Sequence, residues 1–546
     1  MSDAASTPST SLSDSPIEVG ATHRADVVAR RWRWAVAVTL LYAAIVITAA
    51  VYHEPWRDEV VALSIARGAF SLPELAAALK YEGHPILWYL VLREAYALVG
   101  QTWVIKAVSL ASAIGAIFLF VYYCPLPWWL RILFTFSVFP LYHYSVVSVG
   151  YSLEMLLLFA FCTLHPHRRE YPLAIAVVLA ALANTEFLGF IIAVAAAVSL
   201  LFEDAWWGSG WRRWVRDRHL VFAAAIYLAG LLLAYAVAFP DPGSPAAIGP
   251  LNIGRIAAGM GGAIVWPAGH ARRLSFILPM LSVWVWAYFV YLTRRPALLC
   301  FAATALIGIE ASFTLVYAPA PWHLGNLLLV LIATMWLDAS GSTPTATLSP
   351  HLERARSWLG PLVAGGMAVL LAEHVFLGVL LVANDLGHDF SSSRRLGELL
   401  RGDPALACAV VIGEPDSWVT SLPYYADNPL YLPREDVYRW WGRPSPARRS
   451  TYDLDALLAA ARDVRTRCKC PVVIVMGWEL QRAGLHTVYK GSPVEETFAI
   501  TPEARAAFLA ATRRIASLHG EETFPWLEDN QLRVTTNEQY DVYLLR

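Results

Sequence analysis

HEPWRDEVVALSIARG, residues His53–Gly68, follows a long apolar run from Trp34 to Val51 and carries five ionisable side chains in its first seven residues. A run of that length is sized to cross a membrane as a helix, which places the charges at the face where the crossing ends. Acidic groups at that depth are costly unless they are used, so Asp58 and Glu59 are functional candidates. Neighbours on a helix point about 100° apart and cannot both aim at one reacting atom. A division of labour follows: one carboxylate, Asp58, takes a proton, while Glu59 orients it, binds a cation or ties down the loop. The structural alternative is a solvated acidic turn with Glu59 paired to Arg57 or Arg67.

The 546 residues are 57% hydrophobic and 16% charged, against about 45–50% and about 25% in soluble domains. The excess falls in blocks of roughly 20 residues, the pattern of a polytopic α-helical membrane protein. A net charge of −1 without a dense basic arm points to no nucleic-acid partner. Residues 1–29 are polar and apolar-poor, expected as a disordered cytoplasmic tail rather than a signal peptide. Arg30, Arg31 and Arg33 precede the first run and put the N-terminus in the cytoplasm. Basic clusters around Arg168, Arg212, Arg294 and Arg354 join them there if the chain crosses about eleven times. In that scheme Trp128–Val147 and Tyr151–Leu164 are crossings, and Leu173–Phe202 is a hairpin breaking near ANTEFLGF. Arg272 and Arg273 alone fall on the outer side.

The transmembrane domain is then 30–383, with a first outer loop at 52–101, and 384–546 form an extracytoplasmic α/β domain. Within the latter, ACAVVIGE, PVVIVMGW and DVYLLR read as strands, and DLDALLAAARDVRTR and TPEARAAFLAATRRIASLH as helices. Cys408 and either Cys468 or Cys470 are candidates for a bridge if that side is oxidising. The CKC spacing does not define a metal site.

Past the opening stretch, Ser71 and Glu74 match a capping box that starts a short helix. Gly83 and Pro85 end it, leaving Glu82 and His84 on an irregular turn on the same side as Asp58. Pro85 suits the first turn of an interfacial helix. A lone His before Pro is more often a cap than a catalyst, yet four ionisable groups on two neighbouring outer turns favour a site. Glu154 and Glu186 interrupt apolar runs in the outer half of the membrane. They either line the same cavity or bond to neighbouring helices.

The order of crossing, PWRDE, short helix, EGHPILWYL and fresh crossing resembles the first outer loop of the GT-C glycosyltransferases. The resemblance is to the protein O-mannosyltransferase and aminoarabinose-transferase branch. GYSLEMLLLFAF (Gly150–Phe161) resembles that family's aromatic-led fourth crossing, with Gly150 where Arg often precedes the Tyr. NTEFLGF and PWHLGNLLL resemble later outer-end motifs. The resemblance implies transfer of a sugar from a polyprenyl-phosphate donor to a glycan, lipid or protein acceptor, with inversion, at the outer face of the cell (inner) membrane. It implies Asp58 as base, with Glu59, Glu82 and His84 beside it. Arg57, Tyr151, Glu154, Glu186, Arg272, Arg273 and His323 are candidates for holding the donor and its developing phosphate charge. A divalent cation on Asp58 or Glu59 stays open, without a dedicated metal cage. The rival readings are a transporter, which predicts ionisable groups at the membrane midplane, and an inactive scaffold.

Overall fold

The computed structural model describes residues 16–69, 71–80, 82–207, 217–239, 277–316, 319–442, 448–478, 480–481, 483–487, 496–519, 536 and 538–546. Among them, seven helices are long and apolar enough to cross a membrane. They are α1 (Pro16–Tyr52), α5 (Val104–Tyr123), α9 (Phe187–Trp207), α10 (Arg218–Ala238), α12 (Pro296–Leu315), α13 (Pro321–Ala339) and α14 (Pro350–Gly387). The other expected crossings are helical but shorter. They are α6 (Trp128–Thr135), α7 (Tyr151–Leu164), α8 (Pro172–Ala183) and α11 (Ile277–Leu292). The chain is thus an α-helical membrane domain followed by an α/β domain.

Two departures from expectation matter for the site. Helix α1 begins at Pro16, inside the segment expected as a tail; Pro suits a first helical position. Residues 1–15 lie outside the described residues. The Trp128–Val147 crossing is not one helix. Helix α6 stops at Thr135, and a π-helical turn, Phe139–His143, holds Pro140. Pro140 cannot donate to a helical ladder, and its carbonyl instead accepts from Tyr42 Oη at 2.6 Å. Irregular backbone at membrane depth survives only where protein or a cavity surrounds it. Here Gly378 of α14 provides the cover: a Cβ there would lie 3.1 Å from Val138 Cα.

The loop at 52–101 is helical in three pieces: α2 (Arg57–Gly68), α3 (Leu72–Leu79) and α4 (Leu87–Val99). Ser71 accepts from Glu74 N at 3.3 Å, and Glu74 accepts from Ser71 N at 3.1 Å, which completes the capping box. Gly83 has φ +73°, a left-handed conformation that suits glycine and turns the chain toward His84. The inner faces of these helices form one apolar cluster around Leu63, Leu75, Trp88 and Leu92.

The C-terminal domain holds a six-stranded sheet in the order β3-β2-β1-β5-β9-β8. The strands are β1 (Val410–Glu414), β2 (Leu430–Leu432), β3 (Val437–Tyr438), β5 (Val472–Met476), β8 (Thr512–Leu518) and β9 (Tyr540–Leu545). β1 pairs in parallel with β2 and β5, while β9 runs antiparallel between β5 and β8. A second sheet orders β4 (Thr451–Asp453), β7 (Thr497–Ile500) and β6 (Gly484–Thr487). The expected helix beginning at Thr501 ends at Ala511, and TRRIASL continues as β8 because its backbone pairs with β9. All six cysteines are free, so the Cys408 bridge is not formed.

This domain sits on the loop. Tyr425 Oη donates to Pro55 O at 2.8 Å, and Arg67 Nη1 donates to Pro423 O at 3.2 Å. The Arg67 guanidinium also lies 4.1 Å from the Trp440 ring centroid. The stretch 53–68 is therefore clamped between membrane helices and the α/β domain.

Candidate functional site

Glu59 is the anchor of the stretch. Its side chain has no exposed surface, and Oε2 lies 3.0 Å from His53 Nε2. Oε1 accepts from Ser148 N at 2.6 Å, and Oε2 also accepts from Trp56 N at 3.2 Å. His53 Nδ1 reaches Asp385 Oδ2 at 2.7 Å, and Tyr142 Oη donates to Asp385 Oδ1 at 2.9 Å. Burial opposes the His53 imidazolium, but Glu59 and Asp385 outweigh it and push its pKa up to about 9. Both ring nitrogens then donate at neutral pH. The broken crossing matters here, because Ser148 lies just beyond its π-helical turn. Glu59 pairs with neither Arg57 nor Arg67, and its carboxylate is spent on His53, Ser148 and Trp56.

Asp58, one residue away, points elsewhere. Its side chain is 45% exposed, with Arg57 Nε 3.6 Å from Oδ1. Surrounding protein nonetheless raises its pKa, an effect that Arg57 and His84 oppose and Glu59 reinforces. An exposed carboxylate can meet a substrate, and a raised pKa suits a base.

His84 is within electrostatic reach of Asp58, its side chain 41% exposed, with Nδ1 2.7 Å from Glu186 Oε2. Glu186 immediately precedes α9, where the positive end of the helix favours a carboxylate. Asn184 ties the turn in place: its carbonyl accepts from Leu87 N, and its amide donates to Gly230 O, each at 2.8 Å. Burial lowers the His84 pKa, but Glu186 first, then Glu82 and Asp58, push it up to about 9. The folded value exceeds the ordinary 6.5, so the imidazolium contributes fully below about 6.5 and is lost as pH rises through about 9. Any step that relies on this cation should fail along that alkaline limb. The limb should be absent from the pH profile of His84→Gln.

Gly150 explains how Glu186 reaches His84. A Cβ at Gly150 would lie 2.1 Å from Glu186 Oε1, so the carboxylate fills the space that a side chain at this position would need. Gly150→Arg should displace Glu186 and lower stability by about 1–3 kcal/mol. Thermal melts and the His84 alkaline limb check this, the limb moving to lower pH without its carboxylate.

Glu154 is fully buried, and neither of its oxygens has a hydrogen-bond partner among the described residues. It is in electrostatic reach of Glu186. Tyr151 stacks on Tyr144 at 5.2 Å and meets the His323 ring edge-on at 6.1 Å. His323 Nδ1 accepts from Ala320 N at 2.8 Å, capping its own helix. Asp58, Glu82, His84 and Glu186 thus converge, with Glu154, Tyr151 and His323 behind them. Arg272 and Arg273 lie outside the described residues.

His53, Asp385, Lys106 and Glu538 were not singled out from sequence. His53 stands in the opening stretch itself, and Asp385 follows the last apolar run at matching depth, a signal that was there to use. Lys106 Nζ donates to Ala50 O at 2.5 Å and His53 O at 2.8 Å, neutralising the carbonyl end of α1. Among the described residues, no three His, Cys, Asp or Glu side chains converge as a metal site.

No protein-family description matches the chain, and no curated protein matches it. Among solved structures it is similar to ArnT from Cupriavidus metallidurans bound to undecaprenyl phosphate, with 14% identity and a TM-score of 0.49 over 86% of this chain and 99% of that one. For ArnT in the apo state the figures are 13%, 0.41, 85% and 98%. For the arabinofuranosyltransferase AftD from Mycobacteria they are 11%, 0.40, 94% of this chain and 40% of that one.

Proposed function

We propose that the protein is a GT-C type glycosyltransferase that moves a sugar from a polyprenyl-phosphate donor to a hydroxyl of an extracytoplasmic glycan, lipid or protein. The carrying observation is an exposed carboxylate, Asp58, within electrostatic reach of an imidazolium, His84, beside the end of a membrane crossing. A donor whose tail lies in the bilayer presents its phosphate at that depth. Asp58 removes the acceptor's O–H proton as the oxygen attacks the anomeric carbon. The bond from that carbon to the phosphate oxygen breaks, and prenyl phosphate leaves with the electron pair. His84, with Nδ1 committed to Glu186, keeps Nε2 to meet the developing phosphate charge. One base and direct displacement give inversion. Arg57 is the second cation beside Asp58, and Tyr151, Glu154 and His323 form the wall behind the sugar.

The test is thermal stability of the purified protein with undecaprenyl phosphate and a panel of prenyl-phosphate sugars. Saturable stabilisation by a sugar-bearing lipid, retained in Asp58→Asn, is expected. No shift with any lipid contradicts the proposal.

A further inference from the structure

Helix α2 carries Asp58 in its first turn but lacks an ordinary N-cap. The cap position is Trp56, which makes no side-chain cap bond, since an indole has a donor and no acceptor. The Glu59 carboxylate returns a bond to Trp56 N and Glu59 N bonds to Trp56 O at 3.0 Å, which leaves the N–H of Arg57, at the first helical position, to find an acceptor outside the helix. That acceptor comes from the far end of the chain. Glu538 Oε1 accepts from Arg57 N at 2.9 Å. The same oxygen lies 3.9 Å from Arg57 Nη1, and the Glu538 side chain has no exposed surface.

Glu538 is itself held firmly. Ser391 and Ser393 hydroxyls donate to its Oε2, the second at 3.0 Å, and its carbonyl accepts from Ser392 N at 3.1 Å. Ser393 also meets Tyr540 Oη at 2.9 Å, and Tyr540 opens β9. One carboxylate therefore joins the segment following the last crossing, the final strand of the α/β domain and the first turn of α2. Burying a carboxylate is costly, and replacing it by an apolar residue would serve a domain interface as well or better. Its placement on α2, with Arg57 lying between it and Asp58, gives the charge a use.

We infer that Glu538 is a positioning residue of the active site: it caps α2 and draws the Arg57 guanidinium partly away from Asp58. The α/β domain thereby sets both the place and the proton affinity of the base. The second half of this role rests on Asp58 acting as the base; the anchoring of α2 does not.

Two readouts on the full-length protein in lipid nanodiscs test it without a known substrate. In the first, hydrogen exchange of the peptide spanning 56–68 is compared among wild type, Glu538→Ala and Glu538→Gln. Loss of the cap in Glu538→Ala should lower first-turn protection about tenfold, while the Gln amide oxygen still accepts from Arg57 N and restores it. In the second, dicyclohexylcarbodiimide, which adds to a protonated carboxyl, is used to label Asp58 across pH with mass-spectrometric detection. In Glu538→Gln the Arg57 charge is no longer shared, so it favours the Asp58 carboxylate more strongly. The labelling midpoint should fall by ~0.5 pH unit. Unchanged α2 protection in Glu538→Ala, or an Asp58 midpoint that does not move in Glu538→Gln, overturns the inference. If both readouts move but wild type turns over no prenyl-phosphate sugar, glycosyl transfer fails and the anchoring stands.

Discussion

Asp58→Asn is expected to lower turnover about 100- to 10,000-fold, the contribution of a positioned general base, while leaving donor binding and folding in place. Asn is close in size, and Asp58 is 45% exposed and holds no buried bond, so the substitution removes proton affinity and little else. Lipid-induced thermal stabilisation in the mutant should match wild type. The contrast separates a base from a mere binding group: loss of binding together with turnover would assign Asp58 to donor recognition instead.

Glu59→Ala should act in the opposite way, through folding. It leaves the His53 imidazolium with Asp385 alone and strips acceptors from Ser148 N and Trp56 N, all in a site with no solvent access. Removing one partner from a buried ion pair typically costs about 3–5 kcal/mol. The melting temperature should fall by several degrees at pH 7. The sign of the pH dependence is fixed by His53: with its pKa at about 9, the pairing is complete below about 6.5 and lost as pH rises through about 9. Wild type should lose its advantage over Glu59→Ala across that interval. Equal melts for the two proteins at pH 7 would contradict the anchor role.

What was legible in the sequence was local. Ser71 and Glu74 are three residues apart, and their capping box formed as read. The turn at Gly83–Pro85 and the break near Asn184 also follow from residues that limit their own backbone. The depth of Asp58, Glu82, His84 and Glu186 came from counting crossings, and the structure brings those four together. Non-local relations were hidden. The split of the Trp128–Val147 crossing depends on Gly378 approaching from another helix, and β8 is a strand because β9 lies beside it. The partners of Glu59, His53 and Arg57 are likewise distant: Ser148, Asp385 and Glu538, respectively, belong to segments that only the fold brings into contact.

The proposed reaction is displacement of prenyl phosphate from a lipid-linked sugar beside Asp58 and His84. The most direct measurement is mass spectrometry of wild type and Asp58→Asn in nanodiscs with undecaprenyl-phosphate pentoses and hexoses, supplied with a membrane extract as the source of acceptor. Wild type is expected to release undecaprenyl phosphate from at least one donor, and Asp58→Asn to bind that donor without consuming it. Release at equal rates by both proteins, or by neither, would contradict the proposal.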